Sequence, residues 1–228
     1  MKNFLLLASF CFFLHQGSIL AQDWAQLGVF REVNKKISMT SSTERVVFFG
    51  NSITIGWLHT MPSFFEDRPF INRGIGGQTT PQMLVRFRQD VLDMHPKVVI
   101  ILAGTNDIAG NTGPMTLDDI LGNLKSMSEL AKANNIEVIL CSVLPASDYP
   151  WRPGLEPDKK IPALNAMIKE YTEQASLHFL DYYTAMVNDI NGMDKDLAYD
   201  GVHPTKAGYE IMAPLALEAI AKAIKTAN

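Results

Sequence analysis

The chain is poor in cysteine, with only Cys11 and Cys141 among 228 residues. Two are too few for a disulfide scaffold or a cysteine-rich zinc site. Charge is also scarce. Charged residues make up 19% of the chain, and 20 basic against 24 acidic side chains leave a net −4. No globally basic surface invites nucleic acid or anionic lipid. There is no H-E-x-x-H and no Cys/His cluster, so no metal and no cofactor are predicted. Internal repeats, charge runs and linkers are missing too. The 47% hydrophobic content, with 15 Gly and 12 Pro, excludes collagen-like and disordered chains.

Lys2 followed by the apolar run Phe4 to Leu14 and by Ser18-Ile19-Leu20-Ala21 has the layout of a secretory signal peptide. Residues 1–21 are read as that leader, with cleavage after Ala21. The alternative is a membrane anchor, but the run is far shorter than the ~20 residues a bilayer span needs. A lipoprotein is discounted because Phe10, not a small residue, precedes Cys11. Cleavage removes Lys2 and no acid, so the charge falls by one from −4 to −5. Cys141 is then the lone cysteine and, lying in an apolar run, reads as a small buried hydrophobe. The expectation is an exported protein, periplasmic or extracellular, without a stable membrane anchor. Residues 22–228 are expected to form a single domain. Oligomeric state is not legible.

Apolar runs bounded by Gly or Pro predict strands covered on both faces at 46–49, 97–103 and 136–143, with shorter ones at 70–72 and 177–180. Helical spacing lies between them. Thr80-Pro81 predicts an N-cap and first helical position, followed by Met83, Leu84, Phe87, Val91 and Leu92. Thr116 and Asp119 predict a capping box ahead of a stripe from Leu117 to Ala131. Segments 160–176 and 204–226 complete the set, the last with a bend expected at Pro214. Met83, Met127 and Met212 fall on the stripes as core filler. Strand–helix alternation predicts an α/β fold with a parallel sheet and helices on both faces. Ligands bind beyond the C-terminal strand ends of such sheets.

Four segments follow those ends or precede the last helix. Gly50-Asn51-Ser52 can project a hydroxyl from a tight turn, or be a turn alone. Asn72 to Thr80 carries Gly74, Gly76 and Gly77, whose N–H groups can receive a negative oxygen. An ordinary flexible loop and a nucleotide-binding loop are the other readings, though the phosphate-loop spacings are missing. Asn106, after Gly104-Thr105, can donate an amide to the same crevice or simply form a turn. Asp200-Gly201-Val202-His203 can bring a carboxylate to an imidazole. His59 could at most line the crevice. His95 and His178 read as structural or exposed.

Together Gly50-Asn51-Ser52, Gly77, Asn106 and Asp200-x-x-His203 resemble the four blocks of the SGNH hydrolases, also called GDSL esterases and lipases. The resemblance spans about residues 45–226. It implies a three-layer α/β/α fold with a flavodoxin-like parallel sheet. It also implies Ser52 as nucleophile, His203 as general base and then acid, and Asp200 as the residue orienting His203. The implied oxyanion hole is the Ser52 and Gly77 backbone N–H groups with the Asn106 side chain. Two departures stand out. Asn51 and Gln78 replace the family's usual Asp residues, and the pocket mouth is therefore expected to be less acidic.

The expected activity is hydrolysis of carboxylic esters through an acyl-enzyme, on a small-molecule or glycan ester. Trp57, His59, Tyr149, Trp151 and Arg152 are expected near the mouth, either packing the loop or forming a sugar-stacking wall. Short acyl chains, acetyl above all, are preferred, because the pattern is also similar to the branch that handles platelet-activating factor. Lysophospholipid or thioester hydrolysis is the alternative. A different class, a glycan-binding module without catalysis, is disfavoured by the full set of matching residues.

Overall fold

The computed structural model describes residues 23–38 and 44–226. The predicted leader, residues 1–21, lies outside the described residues. After a turn at Asp23–Phe30, a short helix α1 (Arg31–Ser38) precedes strand β1 (Val46–Gly50). Then follow α2 (Ser52–Thr60), β2 (Phe70–Gly74), α3 (Thr80–Asp90), β3 (Val98–Leu102), α4 (Thr105–Ile108) and α5 (Leu117–Lys132). The rest runs β4 (Glu137–Cys141), α6 (Pro157–Gln174), β5 (His178–Leu180), α7 (Tyr183–Met186) and α8 (Lys206–Thr226).

The five strands form one parallel sheet in the order β2-β1-β3-β4-β5. Alternation along each strand divides its side chains between two cores. Val47, Phe49, Val99, Ile101, Val138 and Leu140 pack with Met83 and Phe87 of α3, Leu124 and Met127 of α5, and Leu164 and Ile168 of α6. Val46, Phe48, Val98, Ile100, Ile139 and Cys141 face Ile53 and Trp57 of α2 and Tyr209, Met212 and Ala216 of α8. The result is three layers, α/β/α. Because both sheet faces are covered, the strands read as unbroken apolar runs.

The expected elements are present, with shifts at their ends. The α3 cap moves by one residue. Thr79 rather than Thr80 is the N-cap, its backbone N–H donating to Gln82 Oε1 at 3.1 Å. Thr80 is instead drawn to α4, where its N–H and hydroxyl donate to Asp107 Oδ1 at 2.8 and 2.6 Å. The Thr116–Asp119 capping box forms as expected. The α6 helix starts at Pro157, three residues before its expected start, with Pro at its N-terminus. The last helix begins at Lys206 rather than Pro204 and runs through Pro214 without ending. Met83, Met127 and Met212 are buried, as is Cys141, whose thiol pKa burial pushes up.

Asp107 is buried between α3 and α4, and its Oδ2 has no partner among the described residues. Burial raises its carboxyl to about 6 against the opposing pull of the Thr80 bonds. The folded state therefore binds this proton more tightly than the unfolded chain does. The associated stability is fully present below about pH 4 and is lost as pH rises through 6. Asp107→Asn keeps an oxygen for Thr80 and cannot ionise. Between pH 4.5 and 7.5 the native chain should lose about 2 kcal/mol relative to this variant. Urea midpoints at several pH values measure this, and parallel profiles for the two proteins would remove burial as the cause.

Candidate active site

The sheet order makes β1 and β3 the topological switch point, where neighbouring connections leave for opposite faces. From β1 the chain enters α2 on one face, and from β3 it reaches α5 on the other. Ser52 and Asn106 follow the C-terminal ends of those two strands. Ser52 is the first residue of α2. Asn51 caps the helix, its Oδ1 accepting from Ile53 N–H at 3.0 Å. The Asn51 amide is thus a buried helix cap, a task its oxygen performs without a charge. Gly50 makes this turn possible, since a Cβ there would lie 2.7 Å from the Leu102 carbonyl oxygen.

Residues 151 positions apart meet at the turn. Ser52 Oγ lies 2.9 Å from His203 Nε2, and His203 Nδ1 lies 2.7 Å from Asp200 Oδ2. Asp200 Oδ1 accepts the backbone N–H groups of Val202 and His203 at 3.0 and 2.8 Å. Burial opposes ionisation of Asp200, yet these N–H bonds and the imidazole outweigh it and hold the carboxyl below the usual aspartate range. An ionised Asp200 keeps the proton on Nδ1 and leaves the Nε2 lone pair facing the Ser52 hydroxyl. The loop bearing the pair is closed at its base by an Ala198–Pro204 bridge, with Tyr199 N–H donating to the His203 carbonyl at 3.2 Å.

Gly76 and Gly77 run past the serine, with Ser52 Cβ 4.0 Å from the position a Gly76 Cβ would take. Gly77 sits at φ +74°, a conformation natural to glycine. Its carbonyl accepts from Asn111 Nδ2 at 3.0 Å. Asn106 Nδ2 donates one hydrogen to the Gln78 carbonyl at 2.9 Å, which fixes the amide plane and leaves its second hydrogen. Among the described residues, the Ser52 and Gly77 N–H groups have no protein acceptor. Uncommitted donors beside a serine–imidazole pair suit an oxygen that gains charge during acyl transfer.

The predicted less acidic mouth is not supported at Gln78, whose side chain points away from solvent. Its Oε1 accepts from Arg86 Nε at 2.5 Å and its Nε2 donates to the Ala25 carbonyl at 2.9 Å. Two other residues expected at the mouth are elsewhere. Trp57 is 2% exposed and stacks on Phe64 and Tyr209 in the core between α2 and α8. One face of a short helix had to be buried, and Trp57 lies on it. His59 is exposed in the last turn of α2, roughly 10 Å along the helix axis from Ser52 at 1.5 Å per residue. It does not line the site.

The loop after β4 does reach it. Tyr149 is buried rather than lining the mouth, its hydroxyl 2.9 Å from Thr105 Oγ1, and it stacks under Trp151 at 5.3 Å. Trp151 is 46% exposed, with its ring 5.9 Å from the His203 ring. Arg152 Nη1 ties this loop to the Ala109 and Gly110 carbonyls at 2.9 and 2.6 Å. Sequence reasoning missed Tyr199. It is 71% exposed and stacks on His203 at 5.7 Å with a 16° interplanar angle. Its place directly before Asp200 was the signal available.

Comparison with known proteins agrees with this geometry. Residues 48–211 match the model of the GDSL-like Lipase/Acylhydrolase family. The fold is shared with a candidate acylhydrolase from Bacteroides fragilis, at 45% identity and TM-score 0.86 over 89% of this chain and 99% of that one. A GDSL-like lipase from Bacteroides thetaiotaomicron is also 45% identical, with TM-score 0.84 over 87% and 98%. Among curated relatives, an uncharacterized Bacillus subtilis lipoprotein is 33% identical over 45% of this chain, and the match spans about half of that relative (49%). Human platelet-activating factor acetylhydrolase IB subunit alpha2 is 26% identical over 75% of this chain and 73% of its own length. An acetylxylan esterase from Geobacillus stearothermophilus is 26% identical over 63% and 68%. With residues 48–211 matched by the family model, the chain belongs to the GDSL-like lipase/acylhydrolase family of carboxylic ester hydrolases.

Proposed function

We propose that Ser52, His203 and Asp200 form the catalytic triad of this esterase, and that its preferred substrate is an acetylated carbohydrate. The observation that carries the triad is the unbroken chain of contacts from Ser52 Oγ to His203 to Asp200, at 2.9 and 2.7 Å. Ser52 attacks the ester carbonyl while His203 Nε2 takes its proton. Negative charge on the carbonyl oxygen is received by the Ser52 and Gly77 N–H groups and the free hydrogen of Asn106. The alcohol leaves with the proton from His203. Water, deprotonated by the same ring, releases the acid and regenerates Ser52. No residue outside this set is needed for the chemistry.

Support for carbohydrate comes from Trp151 and Tyr199, two exposed aromatic rings within 6 Å of the His203 ring. Flat apolar faces beside polar groups suit the C–H faces of a sugar ring. Relatives named for acetyl removal, one from platelet-activating factor and one from xylan, agree with a short acyl group. An exported enzyme, carried by the leader at residues 1–21, would meet such a polymer.

A fluorophosphonate probe should label the native protein at Ser52 and leave Ser52→Ala unlabelled, with kcat of the variant down by about 10⁴ or more. Labelling that persists in Ser52→Ala would overturn the nucleophile assignment. Acetyl esters should be hydrolysed faster than octanoyl esters, and the reverse order would favour lysophospholipid or thioester substrates. Replacing both Trp151 and Tyr199 with Ala should raise KM for acetylated xylo-oligosaccharides by about tenfold, from two lost stacking contacts. The same change should leave p-nitrophenyl acetate within about threefold. Equal losses on the two substrates would remove the stacking role.

A further inference from the structure

The residues ahead of the sheet do not merely cover it. Three glutamines hold backbone carbonyls of the segment Asp23–Phe30. Gln82 Nε2 donates to the Trp24 carbonyl at 2.7 Å, Gln78 Nε2 to Ala25 at 2.9 Å, and Gln89 Nε2 to Leu27 at 2.9 Å. Two of these, Gln82 and Gln89, belong to α3. The third, Gln78, directly follows Gly77.

Gln78 is 1% exposed and uses every part of itself. Its backbone carbonyl accepts from Asn106 Nδ2 at 2.9 Å. Its side-chain oxygen accepts from Arg86 Nε, and Arg86 Nη2 in turn donates to the Gly50 carbonyl at 2.9 Å, two residues before Ser52. Its side-chain nitrogen donates to Ala25. One residue thus connects the Gly77 peptide, the Asn106 amide, the strand end below Ser52 and the N-terminal strap. A carboxylate could accept from Arg86 but could not donate to Ala25. The amide is required by the strap.

We propose that Gln78 is a positioning residue that makes the strap Asp23–Phe30 part of the support for the oxyanion donors. The proposal rests on the esterase reading above. Gln78 does not touch substrate. It fixes the orientation of Gly77 and Asn106, and donors that drift by about 1 Å can cost about 10²-fold in rate without changing what binds. Loss of the strap bond should therefore appear in kcat rather than KM.

The test compares the full-length native enzyme with Gln78→Glu, Asn106→Ala and the double variant, using p-nitrophenyl acetate. Gln78→Glu retains the Arg86 acceptor and sets two oxygens against each other at Ala25. It should lower kcat about tenfold or more, with KM within about twofold, and should speed limited proteolysis in residues 23–30. In the Asn106→Ala background the same change should cost clearly less than it does in the native enzyme, because one of the two donors it positions is already gone. If the two losses multiply in the double variant, or KM rises while kcat stays, the positioning role is wrong. Gln89→Ala loosens the strap, gives up one further bond to Asp90 Oδ1 at 3.2 Å, and removes no contact to the oxyanion loop itself. It should speed proteolysis at 23–30 and lower kcat in the same direction, while a released strap with native kcat would overturn the strap's part. Fluorophosphonate labelling of the native protein is read alongside. Its failure would strike the esterase reading itself, whereas intact labelling with a multiplicative cycle strikes only Gln78.

Discussion

The buried guanidinium of Arg86 holds the active end of the sheet together. Arg86 has no exposed side-chain surface and pairs with the equally buried Asp90, one helical turn on, at 2.9 Å. Its other donors reach Gln78 and the Gly50 carbonyl, and its plane lies 4.2 Å from the centre of the Phe49 ring. Its hydrogen bonds thus reach three different elements: α3, the loop carrying Gly77 and Gln78, and the strand end before Ser52. Burial pulls the guanidinium down to about 10, with Asp90 opposing, so it stays charged at neutral pH. Such a pair is weak evidence of net stability, since desolvation offsets attraction. Breaking it by removing one partner, however, costs about 3–5 kcal/mol because the other charge is left buried. The geometry of the site is therefore tied to the integrity of the fold.

The same logic explains why the chemistry sits where it does. Parallel strands all end on one side, so turns from distant parts of the chain are neighbours there. The β1 turn supplies Ser52, the β2 loop Gly77, and the β3 turn Asn106. The pair Asp200–His203 arrives from the loop before α8, which packs on the α2 side of the sheet. Contacts between these turns then refine their spacing. Asp107 binds both polar hydrogens at the start of α3, so the turn bearing Asn106 and the loop bearing Gly77 are joined on both sides. Tyr209 of α8 donates to the Ile53 carbonyl at 2.8 Å and ties the helix after His203 to the helix begun by Ser52.

Much of this was legible in sequence because it depends on local rules. Unbroken apolar runs marked the strands, since both faces of a parallel sheet are covered. Three of the four family blocks marked strand ends, and the fourth marked the loop before α8. What sequence could not show was the direction of side chains within those blocks. Trp57 and Trp151 both lie in the segment that follows a strand end, yet one is core and the other surface, because packing against α8 decides the first. Gln78 looked like a residue of the pocket mouth, but it sits behind the loop. Tyr199 was passed over because an exposed tyrosine has no periodic signature. Thr79 and Thr80 could each cap α3, and a tertiary bond to Asp107 chose between them.

Charge in the buried cluster carries the argument about Gln78 one step further. Arg73 and Arg86 are both buried, and burial lowers each to about 10 with Asp90 opposing. Arg73 has no carboxylate of its own. It donates to Asn34 Oδ1 from Nε and Nη2 at 3.0 and 2.7 Å and to the Asn72 carbonyl at 2.8 Å, and it lies 4.7 Å from the Phe30 ring centre. Two cations thus share one anion. An aspartate at position 78, as the family usually has, would supply a second anion. With Gln78 the cluster stays cationic, and the amide nitrogen gains a bond to Ala25 that no carboxylate could make. Asn34 of α1 and Phe30 at the end of the strap then serve as neutral partners for Arg73. The strap and α1 are thereby needed twice, once to receive the Gln78 amide and once to satisfy a guanidinium that lacks a counter-ion.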